Sequence, residues 1–143
     1  MKVNSRTLAI FLMLLSGTAF ACGGGDEYPV MSAHKDDGTK IGLFISQAQI
    51  EKTQAWSPEN GEPPLSVSSA YQMAMSWGRQ HYPRYDGVKI SEISITKYGC
   101  SLVSDRWYYV LGITPVIDGN EVWSGGSWAG VLMDGTVIGP RKY

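Results

Sequence analysis

Side chains suited to catalysis or metal binding are scarce in this 143-residue sequence. It has two histidines, His34 and His81, and two cysteines, Cys22 and Cys100. Nucleophilic catalysis requires a nucleophile, a base within hydrogen-bond reach and a group that orients the base, and we recognise no such set. His81 is expected at the end of a helix, where it interacts favourably with the helix dipole. Residues 34–38 (HKDDG) lack the alternating acids of a calcium loop. We therefore expect no catalytic residue, no metal ion and no cofactor.

Clustered positive charge and long apolar runs are also scarce. The 12 Lys and Arg residues form no basic patch among the 13 Asp and Glu residues. Nucleic-acid binding depends on such patches, so we expect no nucleic-acid partner. Beyond residue 21 no stretch is apolar over the roughly 20 residues that a transmembrane helix needs.

The first 21 residues have the layout of a secretory signal peptide. Lys2 and Arg6 supply positive charge, residues 8–15 (LAIFLMLL) are apolar, and a stretch of small residues ends at Ala21. The apolar run is too short to span a membrane as a helix. The sequence predicts export to the periplasm or cell envelope, with cleavage after Ala21.

Cys22 directly follows the predicted cleavage site and has two interpretations. The site resembles a bacterial lipoprotein signal, in which Cys22 carries a lipid that anchors the protein to a membrane. Alternatively, Cys22 pairs with Cys100, because an oxidising compartment permits a disulfide and two cysteines allow one pairing. The sequence leaves both interpretations open.

The rest of the chain divides into a leader and one domain. Residues 22–39 contain many turn-forming residues and no apolar period, which predicts a flexible leader. Residues 40–143 are predicted to form a single α+β domain. Its first strand has apolar residues at every second position: Ile41, Leu43 and Ile45.

One helix is predicted over about residues 66–82. The hydroxyl of Ser66 can accept a hydrogen bond from the free amides of the first turn, and Pro83 ends the helix. Small residues recur at every fourth position on one face, which can therefore approach a sheet closely: Ala70, Ala74 and Gly78.

The remaining segments predict an antiparallel meander. In a strand over residues 88–98 the apolar phase slips between Ile90 and Ile93, which indicates a β-bulge. A strand is predicted over residues 106–116. Apolar residues occupy both its odd and its even positions, as in a central strand that is covered on both faces.

Two Asp-Gly pairs predict tight turns in this meander. Asp118-Gly119 marks one turn, and Asp134-Gly135 joins strands over residues 127–133 and 136–138. For Asp134-Gly135 we predict a two-residue type I′ turn. The fold class is α+β, with one main helix packed on a curled antiparallel β-meander, an α/β roll.

Two short motifs accompany this order of elements. Residues 107–110 (WYYV) contain Y-x-V after the helix, and residues 131–138 (VLMDGTVI) contain V-x-x-D in the predicted hairpin. With these motifs, residues 65–140 resemble PepSY-like domains, small exported or membrane-tethered modules with a roll similar to that of cystatins. The resemblance implies a non-enzymatic binding or peptidase-restraining role, with no fixed set of site residues.

Aromatic residues are the distinctive feature of the composition, with five Trp and eight Tyr. Trp123 and Trp128 flank a glycine-containing loop. If exposed, they could stack on a sugar ring or anchor a peptide, and if buried they would cap the open end of the roll. We take Trp123, Trp128 and Tyr108 as candidate ligand-binding residues.

These observations predict a non-enzymatic binding or peptidase-restraining module of the bacterial cell envelope. Its expected partner is another envelope or secreted protein, or a peptide, and it would reach a membrane only through a lipid on Cys22. Two alternatives remain open: a small hydrolase with a dispersed site, and an immunity protein or structural envelope lipoprotein.

Overall fold

The computed structural model describes residues 28–100 and 102–143. The predicted signal peptide, the predicted cleavage site and Cys22 lie outside these residues. The described chain mixes helix and sheet, with one main helix and antiparallel sheets. At this level the predicted α+β class is confirmed.

The helices and strands follow one another along the chain in this order: β1 (Met31–His34), β2 (Lys40–Leu43), α1 (Gln47–Glu51), α2 (Val67–His81), β3 (Gly87–Lys97), β4 (Trp107–Ile117), β5 (Asn120–Glu121), β6 (Trp128–Leu132), β7 (Val137–Ile138) and β8 (Arg141–Lys142). A single 3-10 turn, Pro58–Asn60, lies between the two helices.

The strands form two sheets, where the sequence analysis expected one. The large sheet has the order β3-β4-β6-β7, with β5 paired to β4. The small sheet has the order β1-β2-β8, and in it Gly42 pairs with Arg141. The difference arises because β1 and β8 pair with β2 instead of extending the meander.

The large sheet is covered on both faces. Successive side chains of a strand point to opposite faces. On β4, Leu111 and Ile113 belong to the apolar cluster that contains Ala74 of α2. Tyr108 of the same strand belongs to the cluster that contains Ile45, just after β2. The molecule therefore has three layers: α2, the large sheet, and the small sheet with α1.

Helix α2 confirms the predicted helix. The hydroxyl of Ser66 accepts a hydrogen bond from the backbone amide of Ser69 at 3.1 Å, which caps the first turn. A Cβ atom on Gly78 would lie 3.1 Å from Ile113 Cγ2, so glycine allows the helix to pack closely on the sheet. The other two small residues predicted for this face are also buried: Ala70 and Ala74.

The predicted bulge in β3 is confirmed. β3 pairs with β4 from Gly87 opposite Val116 to Lys97 opposite Trp107, and the register shifts between Ile90 and Glu92. The extra residue explains the slip in apolar phase that the sequence displays.

The predicted hairpin at Asp134-Gly135 is present, but the predicted turn type is wrong. A type I′ turn needs positive φ at both central residues. Here only Gly135 has it (φ 88°), and the carbonyl of Leu132 accepts from Gly135 N, as in a type I turn followed by a glycine bulge. The turn with positive φ at both positions is Asp118-Gly119, with φ values of 49° and 77°.

The hairpin between β1 and β2 differs from the predicted flexible leader (22–39). Its turn repeats the geometry of the Asp134-Gly135 turn: the carbonyl of Lys35 accepts from Gly38 N, and Gly38 has a φ of 79°. The carboxylate of Asp37 accepts from the backbone amide of Thr39 at 2.9 Å, which lowers the pKa of Asp37. A local Asp-Gly-Thr turn therefore orders this part of the leader as a strand pair.

Alkaline pH should destabilise the fold through Tyr108. Burial raises the pKa of Tyr108 from its ordinary value of 10.0 to about 12, and neighbouring Tyr98 adds to the shift. Below about pH 10 the phenol is protonated in both states, so stability keeps its full value. Between pH 10 and 12 only the unfolded chain loses the proton, so stability falls. We expect urea midpoints measured over this range to fall less steeply for Tyr108→Phe than for the unsubstituted protein. Equal slopes would contradict the assignment.

Candidate functional site

The loop from Val122 to Ser127 is held at both ends against β4. Val122 N donates to the carbonyl of Pro115, and Ile113 N donates to the carbonyl of Ser127, each at 2.8 Å. Between these anchors Gly126 has a φ of 84°, and a Cβ atom there would lie 2.8 Å from Ile41 Cγ2. The loop therefore has a fixed path over the small sheet, and only glycine fits at its inner corner.

Trp123 projects from this anchored loop into solvent. Its side chain is 70% exposed, whereas Trp128, at the start of β6, is 9% exposed and packs with Ile41 and Leu43. Tyr108 is buried in the core between the two sheets. The structure thus separates the three predicted ligand-binding residues, and only Trp123 offers a large exposed surface.

Two hollows flank Trp123. The hairpin hollow, of about 310 Å³, lies between the loop and the turn after β1 and is lined by His34, Lys35, Asp36, Asp37, Trp123, Ser124 and Gly125. The strand hollow, of about 290 Å³, lies between the loop and strands β3 and β4. Residues 123–125 line both hollows, and we call them the Trp123 ridge.

The strand hollow has a polar lining. Its lining residues include Ser91, Ser124 and Ser127, together with Glu92. Thr114 of β4 also lines it and is only 2% exposed. Because Thr114 lines the hollow, its hydroxyl can donate to or accept from a molecule that enters the hollow.

Sequence analysis did not identify these lining residues. His34, Asp36 and Asp37 fell within the predicted leader, although Asp-Gly-Thr at 37–39 repeats the sequence of the later hairpin at 134–136. Thr114 could have been found as the one threonine or serine in a strand of mostly apolar and aromatic residues.

The histidines and serines of the surface do not form a hydrogen-bonded catalytic set in the described part of the chain. The Ser124 hydroxyl lies 2.7 Å from the Ser127 hydroxyl, which occupies it. His34 lines the hairpin hollow. His81 stacks on Trp77, with ring centroids 4.3 Å apart, and lines neither hollow.

Cys100 is buried in the cluster that contains Ile45, Ile50 and Tyr98, and it is disulfide-bonded. The sequence contains one other cysteine, Cys22, which lies outside the described residues. Among residues 28–100 and 102–143, no His, Cys, Asp and Glu side chains group as a metal site would require. In the same ranges, no helix is long and apolar enough to cross a membrane.

Comparisons with known proteins found no similarity on which to base a function. No family model matches this chain, and neither a search of curated proteins nor a search of solved structures found a match.

Proposed function

We propose that this chain is an exported, non-enzymatic binding module of the bacterial cell envelope, with the Trp123 ridge as its contact surface. The supporting observation is the 70% exposure of the Trp123 indole between two hollows. Large exposed apolar side chains are unfavourable in water, and Trp contributes strongly to binding where it becomes buried in a complex. The anchored loop presents this indole at little conformational cost on binding.

Export rests on residues 1–21, and the chemistry of Cys100 supports it. Disulfides persist in oxidising compartments such as the periplasm, and Cys100 is disulfide-bonded. A lipid anchor would consume the thiol of Cys22, so pairing of Cys22 with Cys100 implies a protein without a lipid anchor. The proposal includes this pairing.

The proposal includes partners of the kinds that the sequence predicts, a secreted or envelope protein or a peptide. The proposal also includes the α/β roll that the PepSY resemblance implies. Restraint of a peptidase is one form that the binding function would take.

A hydrolase is the second candidate, because the hairpin hollow brings His34, Asp36 and Asp37 to the same side of the loop as Ser124. Against it, the Ser124 hydroxyl is paired with the Ser127 hydroxyl and not with a base. Hydrolysis would require this pair to open and His34 to take its place.

Trp123→Ala should strongly weaken capture of the natural partner. The full chain is expressed with its own N-terminal segment, and the product is purified after the cell has processed it. This product is immobilised and exposed to solubilised envelope material from the producing organism. Loss of an indole at the centre of a contact lowers affinity about 10-fold or more, so we expect the captured protein and carbohydrate to fall accordingly. Leu102→Ser is the matched control, since Leu102 is 65% exposed but precedes the opposite end of β4.

Equal capture by the Trp123→Ala and Leu102→Ser variants would refute the proposed surface. If the unsubstituted protein hydrolyses the captured material and the His34→Ala variant does not, the protein is a hydrolase and the proposed binding function is wrong. Capture that persists unchanged in His34→Ala, with no turnover, supports binding.

A further inference from the structure

We infer that the strand hollow binds a neutral sugar unit of a glycan, which stacks on Trp123 and hydrogen-bonds to Thr114. The inference rests on the proposed binding function and assigns to the same surface a glycan in place of a protein or peptide. Three properties of the hollow carry it: the hydroxyl of a largely buried threonine in its lining, an exposed indole, and a lining that contains three serines and one glutamate.

Thr114 supplies the first property. The residue is 2% exposed and lines the hollow, so its hydroxyl is a polar group on a largely buried part of the lining. A hydroxyl can donate one hydrogen bond and accept others. A sugar hydroxyl can do the same, so it can either donate to Thr114 or accept from it. An apolar group placed against Thr114 would exclude water without replacing its hydrogen bonds, which is unfavourable.

Gly112 lies on the same face of β4 as Thr114. Residues 112 and 114 point to the same face of the sheet because they are two apart on a strand. A Cβ atom on Gly112 would lie 2.7 Å from Ser91 Oγ, so a larger residue would displace the Ser91 side chain. Glycine at this position therefore leaves room for the Ser91 hydroxyl beside Thr114 in the lining.

Trp123 supplies the second property. The face of an aromatic ring is electron-rich, and it attracts the weakly positive C–H groups on one face of a pyranose ring. Stacking uses a flat, exposed indole, while the hydroxyl groups at the rim of the sugar remain free for hydrogen bonds. The indole of Trp123 stands at the border of the hollow, and Thr114 lies on its floor.

The charge of the lining selects against anionic ligands. Glu92 is the one ionisable side chain among the residues that line the strand hollow. Its negative charge disfavours phosphate and other anions, whereas a carboxylate accepts hydrogen bonds from two neighbouring sugar hydroxyls. A cationic peptide would also be attracted to Glu92 and Trp123, and its backbone carbonyls can accept a hydrogen bond from Thr114. The cationic peptide is therefore the competing outcome of the test.

The size of the surface fits an oligosaccharide. Ligand sites usually have volumes of roughly 300 to 1,000 Å³, and the strand hollow, at about 290 Å³, suits a single small unit. The hairpin hollow adds about 310 Å³ on the other side of the Trp123 ridge. A chain of sugar units can occupy the strand hollow and continue across Trp123 toward the hairpin hollow.

Calorimetry and Trp fluorescence with defined probes test the inference. The purified full-chain product is titrated with short oligomers of N-acetylglucosamine, glucose and mannose, and separately with tetralysine. We expect one of the oligosaccharides to bind and to shift the emission of Trp123. Trp123→Ala should weaken this binding about 10-fold or more, and Thr114→Val, which keeps the side-chain shape, about 3- to 10-fold. Leu102→Ser should bind as the unsubstituted protein does.

Each other outcome overturns the inference. Binding of tetralysine that depends on Trp123, without binding of any oligosaccharide, assigns the surface to cationic peptides and leaves the proposed binding function standing. Oligosaccharide binding that is unaffected by both Trp123→Ala and Thr114→Val places the sugar elsewhere. Absence of binding to every probe at millimolar concentration removes the glycan assignment, while the envelope capture experiment decides the proposed function independently.

Discussion

Leu111→Ala should lower the free energy of unfolding by about 2 to 5 kcal/mol, because it removes three carbon atoms from the best-covered position of the large sheet. Leu111 is fully buried on β4 and lies between Ile93 of β3 and Ala129 of β6. It faces α2, so neither the strands nor the helix can move into the space without losing other contacts. Domains of this size are stable by about 5 to 15 kcal/mol, so the loss is a large share of the total.

Urea unfolding followed by circular dichroism measures this loss. Ile117→Ala on the same strand is the control, because Ile117 is exposed at the end of β4 and its truncation should cost less than about 0.5 kcal/mol. Similar midpoints for the two variants would show that β4 is not the central strand of the core.

Breaking the disulfide of Cys100 should have an effect of comparable size. A bridge that closes a long loop stabilises a protein by about 4 kcal/mol, chiefly by restricting the unfolded chain. We expect Cys22→Ala to lower the unfolding free energy by this amount, and reduction with a dithiol to lower that of the unsubstituted protein equally. Reduction should not change the Cys22→Ala variant further.

The intact mass of the native product provides the complementary measurement. A mass lower by two hydrogens, without lipid, is the expected result for a bridge between Cys22 and Cys100. An increase in mass by the size of a lipid would contradict the bridge. So would a Cys22→Ala variant that loses membrane association but keeps the same free energy of unfolding. Cys100→Ala serves as a comparison, and should cost more than Cys22→Ala because it also removes a buried thiol from the core.

The elements that the sequence predicts correctly are those specified by neighbouring residues. The N-cap at Ser66, the small residues at every fourth position and Pro83 lie within one short segment, and together they define α2. The bulge of β3 follows from the slip between Ile90 and Ile93, since side-chain alternation on a strand is also a local property.

Some elements carried local signals that the sequence analysis did not use. Ser46 and Gln49 form a capping box at the start of α1, and the S-x-x-Q pattern is present in the sequence. Asp37-Gly38-Thr39 forms the turn between β1 and β2 in the same way as the later Asp-Gly-Thr sequence. The leader prediction is wrong there because turn-forming residues also occur in the tight turn that joins two paired strands.

Other features depend on contacts between distant segments and leave no local signal. Trp123 and Trp128 have similar sequence surroundings, yet one is exposed and the other is buried against Ile41 and Leu43. The difference depends on how the small sheet covers the large one. The two hollows likewise exist because β1 and the loop after β5 meet in space.

The pairing of Gly42 with Arg141 joins segments near opposite ends of the described chain. Bringing such distant segments together has an entropic cost that grows with loop length, and folds dominated by distant pairings form slowly. The hairpins β3–β4 and β6–β7 close between near neighbours, so we expect them to form before β8 reaches β2. Because β1 contributes residues to both hollows, the binding surface then arises at a late step of folding. Ligand binding would therefore report that the whole chain has reached its native topology, which the presence of helix and sheet alone would not.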